Sequence, residues 1–329
     1  MSTVRFRALA TGCDGAQEWQ VQSTHDTEAQ LFVRARGHAT DERPSVVLVH
    51  GFFQPASAIL DVPGYSLQQA LANTGLRVYL FDMRGYGLAS RPAFMTKPAD
   101  QSRPGLGCMA HALEDLRDVL AFVRTQEGSE VVDLVGYSWG TARSASYALA
   151  YPDQVRRLAL YAPVWRPTSG AAGEAFDPQN PQQLNPRWGG YASFRPGDLQ
   201  RNWDWEIDGQ DAGLFRSVEA LAAADRALVT SDPTLGALGY RAPLGPMVDA
   251  LAVAQGRPLF AAHNLHHNTL LVRGAQDRLA SGEDAEGLFA ALGSARKKLV
   301  TLERGTHLLH VEHAAGTLVQ EIAVFLQQD

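Results

Sequence analysis

Val131-Val132-Asp133-Leu134-Val135-Gly136-Tyr137-Ser138-Trp139-Gly140-Thr141 is the stretch on which the fold turns. Val131–Val135 is a short apolar run of strand length, and a helical pattern begins near Thr141. Only Gly-x-Ser-x-Gly lies between them. A strand-to-helix turn this tight strains the backbone of its central serine, and glycines at 136 and 140 remove the Cβ atoms that would collide there. The hydroxyl then projects above the sheet at a helix N-terminus, where the dipole favours negative charge developing on an oxygen. Five residues of this form also arise by chance, so the flanking strand and helix carry the argument.

Outward from this turn, short apolar runs alternate with helical stretches. The runs are Val46–His50, Val78–Asp82, Val131–Tyr137, Leu158–Tyr161, Thr269–Arg273 and Lys298–Glu303. Helices are predicted over Leu67–Thr74, Met109–Gln126, Thr141–Tyr151, Ala285–Leu292 and Ala314–Gln327. The second carries Leu113, Leu116, Leu120 and Val123 on one face. Runs buried on both faces and joined through helices predict an α/β fold with a mostly parallel, doubly wound sheet. Ahead of it, Val4–Leu9, Trp19–Ser23 and Leu31–Ala35 read as antiparallel strands divided by turn-rich segments.

The alternation stops between about Val164 and His263. Pro163, Pro167, Pro178, Pro181, Pro186 and Pro196 punctuate this region, and four of the six tryptophans fall in it. It reads as an insertion, irregular at first and helical from about Gly213. The expected organisation is a core of residues 1–163 and 264–329 with a mainly helical cap over 164–263.

Composition excludes several classes. A chain of 329 residues with 45% apolar and 19% charged content builds its core without staples. Two cysteines, Cys13 and Cys108, cannot frame a disulfide scaffold, and a reducing compartment fits them. The net charge of −6 argues against a nucleic-acid partner. No apolar run approaches the ~18 residues of a membrane span. The first ten residues carry Arg5 and Arg7 inside an alternating run and lack a secretory pattern, so a cytoplasmic protein is expected. No glycine-rich phosphate loop is present, and no cofactor is expected.

At this point the sequence resembles the α/β-hydrolase family, in four further segments. His50-Gly51-Phe52-Phe53 follows the first core strand, where the family carries its oxyanion loop. Asp82-Met83-Arg84-Gly85-Tyr86-Gly87 is similar to its Asp-x-Arg-Gly-x-Gly turn, although Ala89 stands where the family usually has serine and Ser90 comes one later. Gly274-Ala275-Gln276-Asp277 falls where the family places its acid, and Gly305-Thr306-His307 where it places its histidine. The resemblance covers residues 45–162 and 268 to the end, not the cap. It implies a serine hydrolase. Ser138 would be the nucleophile, a weak one until a base removes its proton. His307 would be that base, because an ordinary imidazole is mostly neutral at pH 7. Asp277 would fix the imidazole tautomer, and the N–H groups of Phe52 and Trp139 would receive the oxyanion.

Rival residues have structural readings. His310 and His313 sit beyond the loop that follows the last strand, and His50 reads as a loop-former. Glu283 and Asp284 suit the opening of a helix. His266-His267 lacks a further ligand at metal spacing, so no metal is expected. Cys108 reads as a small buried residue.

The cap bears on the substrate. Trp165, Phe176, Trp188, Trp203, Trp205 and Phe215, above Phe52 and Phe53, would make an aromatic chamber for an apolar or aryl small molecule. Of these, Phe53, Trp165, Trp203 and Trp205 are the candidate substrate contacts. A carboxylic ester or lactone is the expected substrate. The Ser-Trp-Gly-Thr turn is also similar to proline iminopeptidases, in which case Trp205-Glu206 would anchor a free amine; otherwise Glu206 is a solvated surface charge. Thioester or carbon–carbon hydrolysis, and a non-catalytic small-molecule receptor, stay open, as does a homodimer.

Overall fold

Residues 4–9, 11–12, 15–38, 43–166 and 174–328 are described by the computed structural model; Cys13 and Pro167 lie outside them. The strands, in chain order, begin with β1 (Phe6–Ala8), β2 (Gln17–Gln22), β3 (Gln30–Arg36), β4 (Val46–Val49), β5 (Val78–Asp82), β6 (Val132–Tyr137) and β7 (Val155–Tyr161). They continue with β8 (Phe176–Asp177), β9 (Asn180–Leu184), β10 (Tyr191–Phe194), β11 (Tyr240–Pro243), β12 (Asn268–Gly274) and β13 (Lys297–Leu302). The helices are α1 (Ala56–Ile59), α2 (Leu67–Ala72), α3 (Met109–Glu127), α4 (Trp139–Ala150), α5 (Asp198–Ile207), α6 (Val218–Val229), α7 (Pro246–Ala254), α8 (Gly282–Ala291) and α9 (Ala315–Gln327).

Nine strands form one sheet in the order β1-β2-β3-β5-β4-β6-β7-β12-β13. The three pairings at the β1 end are antiparallel, and every pairing from β5 to β13 is parallel. Strands β4, β5 and β6 are buried along their whole length, which is why their sequences are continuous apolar runs. Side chains of α2 and α9 pack on one face, and those of α3, α4 and α8 on the other. This is the doubly wound α/β-hydrolase architecture, and it brings the loops after β4, β6, β12 and β13 to one edge.

Two boundaries differ from expectation for a physical reason. Strand β7 begins at Val155 rather than Leu158. Arg156 and Arg157 interrupt the apolar run, yet both are accommodated. Arg156 Nε donates to Asp133 at 3.0 Å, and Arg157 donates to the Phe325 carbonyl at the end of α9 at 2.9 Å. In the segment between β7 and β12, helix starts at Asp198, not near Gly213. The buried residues of α5 are Leu199, Trp203, Glu206 and Ile207, a helical face whose period is obscured by a buried glutamate.

The rest of that segment contains two small antiparallel ribbons, β8–β9 and β10–β11, which the short, polar sequences do not announce. The segment is not a separate body. Trp203, Phe215 and Leu228 belong to the same buried cluster as Tyr137, Leu309 and Ile322.

Candidate active site

Ser138 occupies the turn between β6 and α4 with φ 55° and ψ −125°, a conformation that costs about 1–3 kcal/mol in a non-glycine residue. The neighbours explain how it is held. A Cβ on Gly140 would lie 2.1 Å from the Val49 carbonyl oxygen, and one on Gly136 would lie 2.6 Å from that of Gly140. The turn therefore needs both glycines, and β4 presses directly against it. The Ser138 N–H donates to the Tyr161 carbonyl at 3.0 Å, and its carbonyl accepts from Thr141 Oγ1 at 2.6 Å.

His307 and Asp277 come together from the loops after β13 and β12. The imidazole Nδ1 is 3.0 Å from each carboxylate oxygen of Asp277. Nδ1–H thus donates to the acid, which leaves the Nε2 lone pair as the acceptor. Asp277 Oδ1 also accepts from the N–H groups of Leu279, at 3.0 Å, and Ala280, at 2.7 Å. The peptide groups of His307 are held as well. Its carbonyl accepts from the Tyr161 hydroxyl at 2.8 Å, and its N–H donates to Glu206 Oε2 at 2.9 Å.

These neighbours set the titration. Burial pulls the His307 imidazole down, but Asp277 first, then Glu206 and Glu312, more than offset it, so its pKa is raised. Glu206 is only 3% exposed and is no solvated surface charge. Burial, followed by the repulsion of Asp277, pushes its carboxyl up to about 8. Glu312 accepts from the Thr306 N–H at 2.9 Å, from Thr306 Oγ1 at 2.7 Å and from Trp203 Nε1 at 2.7 Å.

The loop after β4 faces the same turn. His50 is wholly buried, with Nδ1 2.9 Å from the Gly51 carbonyl and Nε2 accepting from the Met83 N–H at 3.3 Å. Burial lowers its pKa to about 3, so it is a neutral loop-former. Sequence reasoning missed Arg143. Fully buried on α4, it donates to the carbonyls of His50 at 3.1 Å and Gly51 at 2.9 Å. Those carbonyls are tied down on the side of α4, and among the described residues the N–H groups of Phe52 and Trp139 have no acceptor. At the Asp82 turn, Ser90 Oγ accepts from the Gln30 N–H at 2.8 Å and ties the turn to β3.

Ser138, His307, Phe52 and Trp139 open on one cavity of about 370 Å³. One wall is a run of aromatic rings. Phe52 stacks on Phe53 with centroids 3.9 Å apart and packs on Trp139 at 5.6 Å; Phe53 meets Phe194 at 5.0 Å, and Phe194 stacks on Tyr240 at 4.8 Å. Phe194 and Tyr240 come from β10 and β11, so the strand pairing that the sequence hides completes the wall. Leu199, Asn202, Trp205 and Glu206 of α5 also line it.

Phe53 and Trp205 thus reach the cavity, whereas Trp165 and Trp203 do not. Trp165 is buried, with Nε1 donating to the Phe260 carbonyl at 2.9 Å. Trp203 is fully buried in the core with its indole N–H on Glu312. Buried indoles satisfied by internal acceptors are structural. Phe176, Trp188 and Phe215 are likewise outside the lining.

The rivals fall away by position. His310 is buried with Nε2 on the Ile59 carbonyl at 2.9 Å, and burial lowers its pKa to about 3. Asp284 accepts from the N–H groups of Trp165 and Arg166, both at 2.8 Å. His266 and His267 contact the carbonyls of Gly293 and Pro152, each at 3.0 Å. Cys108 is half-buried at the start of α3, 3.3 Å from His111 Nδ1. Among the described residues no group of three His, Cys, Asp or Glu side chains is arranged for a metal, and no helix is long and apolar enough to cross a membrane.

A profile of the alpha/beta hydrolase fold matches residues 44–314, and the chain belongs to that family. It is a member of the α/β-hydrolase superfamily. More particularly, it is 29% identical over 239 residues to 2-hydroxymuconate semialdehyde hydrolase of Pseudomonas sp. (strain CF600), covering 73% of this chain and 72% of that one. It is 28% identical over 151 residues to a human (lyso)-N-acylphosphatidylethanolamine lipase, a match spanning 45% of this chain and about a third, 36%, of the lipase. Among solved structures, a Thermogutta terrifontis esterase covers 98% of both chains at 17% identity with a TM-score of 0.59. A meta-cleavage product hydrolase from Pseudomonas fluorescens covers 90% of this chain and 94% of its own at 15% identity, with a TM-score of 0.58. At such identities the structures speak for the fold alone.

Proposed function

We propose that the protein is a serine hydrolase that cleaves a carboxylic ester of a neutral apolar or aryl small molecule, with residues 164–263 as its cap. The observation that carries this reading is the convergence of strained Ser138 and the His307–Asp277 pair on one aromatic cavity. Ser138 Oγ attacks the ester carbonyl as His307 Nε2 takes its proton, and Asp277 stabilises the imidazolium. The N–H groups of Phe52 and Trp139 receive the oxyanion, each contributing about 3 kcal/mol to the barrier reduction. Collapse of the intermediate expels the alcohol with the proton from His307. Water then enters through the same base and releases the acid.

Charge supports the substrate class. The cavity lining holds Glu206 but, among the described residues, no Arg or Lys. A carboxylate-bearing substrate such as a muconate derivative would find no counter-charge there, whereas a neutral ester loses nothing. One observation favours a second reading, an aminopeptidase: the buried carboxyl of Glu206 lines the cavity with no Arg or Lys partner among the described residues, and so offers an acceptor for a substrate amine.

Fluorophosphonate labelling followed by intact mass, beside panels of p-nitrophenyl esters and amino-acid p-nitroanilides, tests both. A single adduct, absent from Ser138→Ala, with turnover of esters and not anilides is expected. Turnover of anilides alone would favour the aminopeptidase. A folded protein with neither adduct nor turnover would remove the hydrolytic reading.

A further inference from the structure

Helix α5 touches both arms of the acid–base pair. Glu206 Oε2 accepts from the His307 N–H, and Trp203 Nε1 donates to Glu312, which in turn holds the N–H and hydroxyl of Thr306. Between them, the Trp205 carbonyl accepts from Arg278 Nη1 at 2.9 Å, and Arg278 also pairs with Asp208 at 3.1 Å and lies 4.3 Å above the Trp205 ring. Arg278 directly follows Asp277. One short helix therefore holds the base and the residue after the acid directly, and the residue before the base through Glu312.

The grip on His307 is two-sided. Tyr161 of β7 holds its carbonyl from the sheet, and Glu206 holds its N–H from the cap. Glu206 is also costly to keep. It is 3% exposed and has no Arg or Lys partner among the described residues, and Asp277 and Glu312 repel it. Burial and this repulsion disfavour its ionised form, so a carboxyl kept at this position calls for a contact that uses its oxygen.

We propose that Glu206 is a positioning residue for His307, by which the cap, seated on the core, holds the catalytic base in register with Ser138. The proposal rests on the serine-hydrolase reading for its consequence in turnover. The same contact, however, exists whether or not the enzyme cleaves esters. An acceptor oxygen is what the His307 N–H requires, so glutamine can replace glutamate and alanine cannot. A misplaced base slows the proton transfer without weakening the aromatic contacts that bind substrate, so the loss falls on kcat. If Glu206 instead contacts the substrate, the loss falls on KM.

The experiment measures kcat and KM for the best ester, and the rate of fluorophosphonate labelling of Ser138, in wild type, Glu206→Ala and Glu206→Gln. Hydrogen exchange at the His307 amide is followed in parallel. Glu206→Ala is expected to lower kcat and the labelling rate by about 10–100-fold with KM within about twofold, as for a base displaced by a fraction of an ångström. Glu206→Gln should recover most of both. The His307 amide should lose protection in the alanine variant and keep it in the glutamine variant.

A rise in KM at constant kcat, or equal loss in both variants, overturns the proposal. Should the alanine variant fail to fold, the glutamine variant still decides: recovery supports positioning, and loss equal to that of Ser138→Ala refutes it. Should wild type neither label nor turn over, the hydrolytic reading fails separately. The exchange at His307 then tests the grip alone, and unchanged protection in a folded Glu206→Ala protein overturns it.

Discussion

The floor of the cavity and its roof are built by different means. On the floor, Ser138, Asp277 and His307 stand in short loops directly after β6, β12 and β13, and each strand is bonded into the centre or far side of the parallel sheet. On the roof, Phe194 and Tyr240 meet through a ribbon whose two strands lie more than forty residues apart in the chain, and α5 enters the core with a buried glutamate. A floor residue is placed by the strand that ends beneath it. A roof residue is placed by whatever it packs against. The chemistry can thus be held constant while the roof adapts to a substrate, and damage to the two regions should register in different observables.

The largest expected effect is on the floor. Asp277→Asn leaves the shape of the pair but removes the negative charge and sets an amide NH2 in place of one acceptor oxygen, so the Nδ1–H tautomer is no longer fixed, and turnover should fall by about 10⁴-fold with the melting temperature little changed. A loss smaller than tenfold would mean that another group orients His307.

The pH profile sharpens the same point. His307 must be neutral to accept a proton, and Asp277, Glu206 and Glu312 raise its pKa. The acid limb of kcat/KM should therefore have its midpoint above the usual imidazole value of about 6.5, falling about tenfold per pH unit below it. A midpoint below that value would show that burial outweighs the carboxylates.

Gly140→Ala tests whether the floor depends on backbone contact. The new methyl would stand 2.1 Å from the Val49 carbonyl oxygen, so stability should drop by about 3 kcal/mol, read by denaturant unfolding. An unchanged midpoint would show that β4 can move away from the turn.

The smallest effects separate two neighbouring tryptophans of the roof. Trp203→Phe leaves Glu312 without its buried indole donor and should cost about 2 kcal/mol, with KM unaffected. Trp205, 44% exposed and lining the cavity, should do the opposite when changed to alanine: KM rises a few-fold while unfolding hardly moves. If both variants shift the same observable, packing and cavity lining are not separable within the roof.

How far the sequence reaches follows the same division. Ser138, Asp277 and His307 were legible because a buried parallel strand writes a continuous apolar run, and a residue just after such a run has few places to go. Arg143 was not legible. An arginine inside a helix pattern reads as surface, and only the approach of two carbonyls from the β4 loop makes it a buried strut. Glu206 misled for the converse reason, because an isolated glutamate beside two tryptophans reads as solvated until the His307 N–H is seen opposite it. Trp165 and Trp203 carried the aromatic signal of a binding site, yet their indole N–H groups turned out to serve internal acceptors.

By itself, then, the sequence determined the sheet, the strained serine turn and the order of the residues at the strand ends, since these follow from local sterics and from the burial of strands on both faces. Which aromatic rings line the cavity, which carboxylates surround His307 and how α5 meets the His307 loop were decided only by tertiary structure. The contacts of α5 with His307 and Glu312 join residues about a hundred positions apart, and burial, which makes them strong, is a property of the folded chain and not of any segment of it.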